Sequence, residues 1–372
     1  PSGCSVDGPE AVGQKRNDCV LQAQAIVQAG DAVSFVVERQ PARYPDGSSL
    51  SDAGAFVHSR LALHPEVQLY AGGRASAFHL AIEERTGDAP SPAFSETLID
   101  SAGSLGIRWE LAEGLAWSTN VARGVRSPNV EDFAALGPRA QGRFVVPNSE
   151  IEPEHSYTAD AGVKLMRGAS SLQTFVFFTR YDGAIALAPT LVNGEEFSDT
   201  GDRFYHSVNA SEVDLYGIET AFDVAVTREI ATFGRGLLML GEQRNPTATD
   251  LPPETPADRV PPLQGELGVR YRPIRRLEVE ALALGRAPQH RLNDPFNVDD
   301  NRIPASGTPG FVTYHARARY AASRLLTVRL ALDNITNELV LEHGSGFYRP
   351  GFGMMASIEL NAADHRRTPV NR

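Results

Sequence analysis

No stretch of this sequence approaches the roughly 20 consecutive apolar residues that a membrane-spanning helix requires, although 42% of its residues are hydrophobic. A membrane role would therefore run through strands that alternate their faces, an arrangement in which mean hydropathy is free to be negative. Cysteine is nearly absent. The two present, Cys4 and Cys19, lie close together in a polar segment. That pair suits a disulfide across one loop in an oxidising compartment and offers too few ligands for a metal site. Positive charge is scarce as well: the formal net charge of −11 argues against a nucleic-acid partner, which would need concentrated Lys and Arg. Acidic loops fit a cell surface better. The chain contains no nucleophile-elbow Gly-x-Ser-x-Gly, no His-Glu-x-x-His and no phosphate-cradling glycine loop, so neither an enzyme nor a cofactor is expected. It opens on a proline, with no initiator Met and no signal peptide, as expected for part of a longer secreted precursor.

What is present is a rhythm of strand-like segments joined alternately by short and long connections. The short links include Leu63-His64-Pro65-Glu66, Ala112-Glu113-Gly114, Arg167-Gly168-Ala169, Thr227-Arg228-Glu229, Arg272-Pro273-Ile274-Arg275 and Ala321-Ala322-Ser323. Between them run polar, Gly/Pro/Asp-rich stretches at about 84–96, 124–154, 183–203, 242–260, 288–309 and 338–350. Tight turns on one rim and large loops on the other are what an outer-membrane barrel needs.

Within the segments the period is two. Leu326, Val328, Leu330 and Leu332 alternate with Thr327, Arg329, Ala331 and Asp333, and Tyr157, Ala159, Ala161, Val163 and Leu165 alternate with Thr158, Asp160, Gly162 and Lys164. A soluble sheet with a solvated charged face would give the same alternation in any one strand. Many segments, however, extend 10–15 residues, long enough for a tilted crossing. Trp109, Tyr157, Tyr271, Tyr314 and Tyr320 also fall near strand ends on the apolar face, where an aromatic girdle sits. The expected fold is all-β, an antiparallel up-and-down transmembrane β-barrel. About 15 strands are expected, near 18–28, 32–39, 52–62, 67–82, 97–111, 115–123, 155–167, 169–182, 204–226, 229–241, 262–272, 276–287, 310–321, 324–337 and 350–360. The lipid face of 169–182 and 229–241 is ambiguous. An odd count does not close a single-chain bacterial barrel, so further strands are expected upstream.

Several short motifs then resemble the TonB-dependent outer-membrane receptors. Asp333-Asn334-Ile335-Thr336-Asn337-Glu338 is similar to their NLTN signature, with Asn334, Thr336 and Asn337 matching. Pro309-Gly310-Phe311 and Pro350-Gly351-Phe352-Gly353 resemble the starts of the last strands. Arg123 to Pro128 resembles the FRAP box, with Arg126 and Pro128 in place and Val125 replacing the aromatic. Asn148 to Glu154 resembles NPNLKPE through Asn148, Glu152, Pro153 and Glu154, with Ser149 and Glu150 departing; Tyr216-Gly217-Ile218-Glu219 resembles a GxE strand through Gly217 and Glu219. The ordered set covers roughly residues 110–360.

This resemblance implies a 22-strand barrel of which the chain supplies about the last 15, with residues 1–360 as partial barrel and 361–372 as a polar C-terminal tail. It also implies a Gram-negative outer-membrane location and three partners: lipid, a plug domain and TonB, the last two through segments outside this sequence. The function implied is active uptake of a scarce nutrient, first a ferric siderophore or other iron chelate. A haem receptor, a passive porin-like or truncated non-transporting barrel, and a surface adhesion module are the alternatives.

Charged positions expected to face inward are Arg74, Asp160, Lys164, Arg270, Glu278, Glu280, Arg317, Arg319 and Arg329. They would line water or hold a polar plug. His206, His290 and His343 fall in or beside predicted extracellular loops, where imidazole has the chemistry to meet haem iron or a chelated metal. A lone loop histidine is more often only solvated. Tyr348 and Arg349 neighbour His343 and suit an anionic siderophore. Asp294, Asp299 and Asp300 lack calcium-loop spacing and read as solvated carboxylates.

Overall fold

The structure is a computed structural model that describes residues 19–27, 33–41, 44–84, 93–139, 142–245, 252–293 and 302–360. Cys4, Asp294, Asp299, Asp300 and the 361–372 tail lie outside the described residues; Cys19 begins the first strand, opposite Pro41.

Strands β1 (Cys19–Val27) and β2 (Val33–Pro41) form a hairpin. Then come β3 (Ser49–His64), β4 (Val67–Ile82), β5 (Phe94–Ala112), β6 (Leu115–Arg126), a one-turn helix α1 (Val130–Ala134), and the short β7 (Gly137–Arg139) and β8 (Arg143–Val145). The long strands resume with β9 (Glu154–Arg167), β10 (Ser170–Pro189), β11 (Arg203–Ala225) and β12 (Ile230–Arg244). After β13 (Glu254–Pro256) follow β14 (Gln264–Ile274), β15 (Leu277–Arg286), β16 (Phe311–Ala321), β17 (Leu326–Asp333) and β18 (Gly353–Leu360). The long strands pair in chain order as one antiparallel meander from β3 to β18, within a 16-stranded sheet that β7, β8 and β13 join from the loops. Every strand expected from the period is present. The short additions were not expected, and the segment 334–337 expected to finish β17 is a turn instead.

That turn has a local cause. Asn334 and Asn337 both take positive φ (48° and 54°), a region Asn tolerates better than most side chains. Asn334 clasps Glu338 through both its amide nitrogen and its carbonyl oxygen (2.8 and 2.9 Å), and Asn337 Oδ1 accepts the Phe352 N–H at 2.9 Å. The two asparagines therefore tie the end of β17 to the start of β18.

Register assigns the faces. Arg270 lies opposite Glu280 and Ala231, Glu278 opposite Arg319, and Arg319 opposite Arg329, so the expected charges share one wall. On the other wall Trp109, Tyr157, Tyr271, Tyr314 and Tyr320 are each about half exposed, and Trp117 stands directly opposite Trp109. Residue pairs across a ladder share a face. This settles the two ambiguous strands: Phe175, Phe177 and Phe233 face inward, where they lie over Gly162, Gly217 and Gly268 of neighbouring strands. Apolar residues on the inner face had hidden the alternation.

Each of these glycines leaves room for a ring. A Cβ at Gly162 would meet the Thr174 carbonyl oxygen at 2.3 Å and the Phe175 ring at 2.5 Å; one at Gly217 would meet the Leu238 carbonyl oxygen at 2.3 Å and the Phe177 ring at 2.7 Å. At the β5–β6 turn Gly114 has φ +74°, and a Cβ there would stand 2.1 Å from the Met166 carbonyl oxygen. Among the described residues β3 and β18 each pair on one side only, so the wall is open at both edges.

Candidate functional site

All the long connections leave the same rim, and there the chain builds two packed groups. The first is the strap between β6 and β9. Pro128 is fully buried, and Asn129 caps α1 by accepting the N–H groups of Glu131 (2.7 Å) and Asp132 (3.2 Å). Asp132 Oδ2 accepts the Asn129 N–H at 2.9 Å, which completes a capping box. The helix points Phe133, fully buried, into Leu80, Ile82 and Ile151, with Phe94 at 5.5 Å between ring centroids. The strap thus plugs onto the inner face of β4 and β5 through a small apolar core.

Charges fasten the same strap. Arg126 donates to Glu154, its ladder partner, and to Asp132 at 2.9 Å. Glu154 also accepts the Ile185 N–H at 2.6 Å. Burial works against the Glu154 charge, but Arg126 and the Ile185 N–H outweigh it and hold the carboxyl below the usual range; Glu154 in turn raises Arg126. Asn148 Nδ2 donates to the Ser207 carbonyl at 2.8 Å, and the Glu152 N–H donates to Asn209 Oδ1 at 2.7 Å. Nearby Asp100 takes His155 (2.6 Å) and Arg123 (2.8 Å) where β5 and β6 part.

Because the folded-state pKa of Glu154 is depressed, its contribution is present above the unfolded value near 4.3 and is lost as pH falls through the folded value. The stability difference between wild type and Glu154→Gln should be full at pH 7 and shrink below about pH 4. Denaturant titration at the two pH values checks it; a difference that grows in acid contradicts the pairing.

The second group laces three consecutive loops. Gln289 Nε2 donates to the Val260 carbonyl at 2.9 Å in a buried position, and Asn293 Nδ2 donates to Thr255 Oγ1 at 3.0 Å. Thr308 Oγ1 lies 2.8 Å from His343 Nδ1, and Ala257, Val260, Ile303, Val340 and Leu341 are buried. The β12–β14, β15–β16 and β17–β18 connections therefore form one cap.

The sequence-predicted ligand residues divide between the groups. His290 lies 2.9 Å from the Ser306 carbonyl through Nδ1. His343, Tyr348 and Arg349 share the cap with it; Tyr348 bridges Leu341, and Arg349 donates to Glu342 at 3.1 Å. His206 stands apart, on β11 opposite Ala188. Burial pushes its pKa below the usual histidine range, with the Glu150 charge pulling the other way. Among the described residues no group of three metal-binding side chains forms.

Below the loops, the inner wall carries a hollow of about 380 Å³ lined by Phe175, Glu219, Arg235, Gln264, Glu266 and Arg286. Arg235 meets Glu266 at 2.9 Å. A second hollow, of about 360 Å³, is lined by Glu278, Glu280, Arg317, Arg319 and Arg329. Charge lines this wall on β9, on β11 and from β12 to β17, while β10 presents Phe175 and Phe177.

The family model of the TonB-dependent receptor-like β-barrel matches residues 21–335. The chain belongs to the TonB-dependent receptor family. That places it among Gram-negative outer-membrane proteins. No curated protein matches the sequence as a relative. Solved structures share the fold. The copper transporter OprC superposes with a TM-score of 0.68 at 16% identity, over 84% of this chain and 50% of that one. The siderophore receptor PiuA from Acinetobacter baumannii gives 0.62 at 15% identity, over 88% and 45%. A variant of the ferric enterobactin receptor PfeA from Pseudomonas aeruginosa gives 0.59 at 13% identity, over 88% and 55%. This TonB-dependent receptor chain thus spans about half the length of these structures.

Placed in the receptor fold, the motif residues act as fasteners. Arg126, Pro128, Asn148, Glu152 and Glu154 tie the strap to the wall, with Pro153 leading into β9, and Asn334 and Asn337 tie the last turn, with Thr336 between them. Gly217 admits Phe177, and Glu219 lines the hollow it shares with Arg235 and Glu266. Sequence reasoning missed α1, Asp100 and the lacing residues Gln289 and Asn293. The spacing Asn129-x-x-Asp132 after Pro128 was a usable signal for the helix start.

Proposed function

We propose that this chain is the C-terminal part of the barrel of a receptor for active, TonB-coupled uptake of a scarce nutrient, and that the nutrient is a ferric siderophore or other iron chelate. Family membership carries this reading. Its structural neighbours include a siderophore receptor, a ferric enterobactin receptor and a copper transporter, which supports a metal or metal chelate as cargo. Residues 1–360 serve as partial barrel and 361–372 as an extension beyond it. Further strands complete the wall at the open edges of β3 and β18, as lipid tolerates no unpaired edge.

The lumen is filled by a plug domain outside this chain. Arg317 and Arg319 support that partner: they point into the lumen with no ion-pair partner among the described residues, so an acidic surface docked there gains from both. The loops capture the chelate, with His290, His343, Tyr348 and Arg349 on the cap and His206 at the loop end of β11. Pull from TonB then loosens the plug, and no bond in the cargo is broken.

Uptake of radiolabelled ferric chelates by cells producing the full-length polypeptide, with and without TonB, tests the proposal. Saturable uptake that disappears without TonB is expected. Uptake that rises linearly with concentration and ignores TonB would establish a passive pore. Removal of the three cap loops is expected to lower chelate affinity by at least about a hundredfold, some 2.7 kcal/mol, and leave a folded barrel. Unchanged affinity would overturn capture by the cap.

A further inference from the structure

The strand ladder is interrupted on one side of β5. From the tight turn upward, β5 and β6 stay paired only as far as Gly103 opposite Arg123, and β6 leaves β9 at Arg126 opposite Glu154. β5 runs on to Phe94, paired there with β4 alone, while the chain after β6 turns inward as the strap. Ser101 lies about ten residues beyond the β5–β6 turn, the length at which a tilted strand leaves the hydrocarbon. The free edge above it therefore stands in water, where an unpaired strand is tolerated.

Successive residues of an antiparallel strand turn their N–H and C=O groups to opposite neighbours. In β5 the even-numbered residues serve β4, as the Glu110 N–H shows by donating to the Glu66 carbonyl at 2.8 Å. Ser101 faces the vacant side, where side chains close the ladder: its N–H donates to Asp100 Oδ1 at 2.6 Å, and its carbonyl accepts from Arg123. Beyond that stop, among the described residues, the N–H and C=O groups of Ser95, Thr97 and Ile99 have no partner. Free edges are ordinarily protected by lysine, proline, a bulge or a cover. The run from Phe94 to Ile99 holds neither Lys nor Pro, and its register against β4 is unbroken.

We infer that this edge is a strand-addition site for an extended, basic segment of a second polypeptide outside the cell. Alternate unpaired N–H and C=O groups are matched in spacing by another extended backbone, and such a guest continues the β5–β6 ladder upward from Arg123. The side chains define its composition. Phe94 and Leu98 pack inward against the core around Phe133, so guest residues opposite them are apolar. Glu96 lies between them on the same face and has no ion pair among the described residues, so the guest residue opposite it is a lysine or arginine. Ile99, 78% exposed on the outer face, gains a neighbour.

The test uses the full-length polypeptide in lipid vesicles and a synthetic peptide of threonines alternating with valine, lysine and valine. Amide exchange is read residue by residue by mass spectrometry. Thr97 and Ile99 should exchange freely in the receptor alone and slow at least about tenfold at saturating peptide. A fully N-methylated peptide, which keeps the side chains but not the donors, should leave the rates unchanged. Glutamate in place of the lysine should weaken binding at least about threefold. Thr97→Pro removes a donor that no ladder uses, a change an edge strand accepts, and should fold without responding to the peptide. Wild-type rates that ignore the peptide would overturn the inference with no need for a variant. So would protection already present in the receptor alone, which would mean that its own chain or a second copy covers the edge. An equal response to the N-methylated or glutamate peptide, or a folded Thr97→Pro receptor that responds in full, would overturn it as well.

Discussion

Replacing Gly162 with valine is expected to abolish assembly of the barrel. The position lies mid-strand in β9 on the inner face, opposite Phe175, and its missing side chain is the space the Phe175 ring occupies. A Cβ would stand 2.3 Å from a backbone oxygen of β10. A side chain could swing away, but the ladder would have to open for a carbonyl to move. Overpacking costs about 1–3 kcal/mol where the surroundings yield, and here backbone would have to yield, against a total stability of only about 5–15 kcal/mol. The fraction recovered as a folded, heat-modifiable species should fall at least about tenfold. Gly217→Val should behave alike, since its Cβ meets the Leu238 carbonyl oxygen at the same 2.3 Å. Gly73→Val is the control, because nothing lies within 4 Å of a Cβ there. If all three fold equally well, the ring-over-glycine arrangement is wrong.

The second large effect concerns Phe133. This side chain has no exposed surface and, with Ile151 of the same strap, packs against Leu80 and Ile82 of the wall. Truncating a buried Phe to Ala costs about 3–5 kcal/mol. Here the loss falls on one local unit, because α1 is a single turn and has no independent stability. The Asn148 N–H donates to the Phe133 carbonyl at 2.9 Å, so release of the helix also frees the return path into β9. Amide exchange across residues 127–153 should therefore accelerate by at least about a hundredfold in Phe133→Ala while the long strands keep their protection. An unchanged exchange rate in the strap would show that the ion pairs of Arg126 hold it without the apolar core.

The strands were legible in the sequence because their cause is local. One face meets lipid and the other water, so a period of two survives along β16, β17 and β9, and the turn residues mark the ends. It fails where packing replaces solvent. Phe175, Phe177 and Phe233 face inward because glycines on neighbouring strands accept their rings, and that fact depends on register between distant segments. The loops follow the same logic. Asn334 and Asn337 act within a few residues and left a readable motif. The contacts Gln289 to Val260 and His343 to Thr308 join residues far apart in sequence, so the cap left no pattern, and His290 and His343 could be suspected singly but not placed together. The strap was half legible: its motif residues stood out, whereas a helix of five residues is too short to show a period.

The most direct test of the central claim, that this meander is a membrane wall with lipid on one face and the lumen on the other, is a nitroxide scan along β10 from Leu172 to Phe178. It would use the full-length polypeptide in lipid vesicles, in a cysteine-free background. Oxygen accessibility should peak at Leu172, Thr174, Val176 and Phe178 and fall at Gln173, Phe175 and Phe177, because oxygen concentrates in hydrocarbon and alternate side chains leave opposite faces. A flat profile, or a water-soluble relaxant reaching both sets equally, would mean that no lipid covers the outer face and would contradict the membrane-spanning wall.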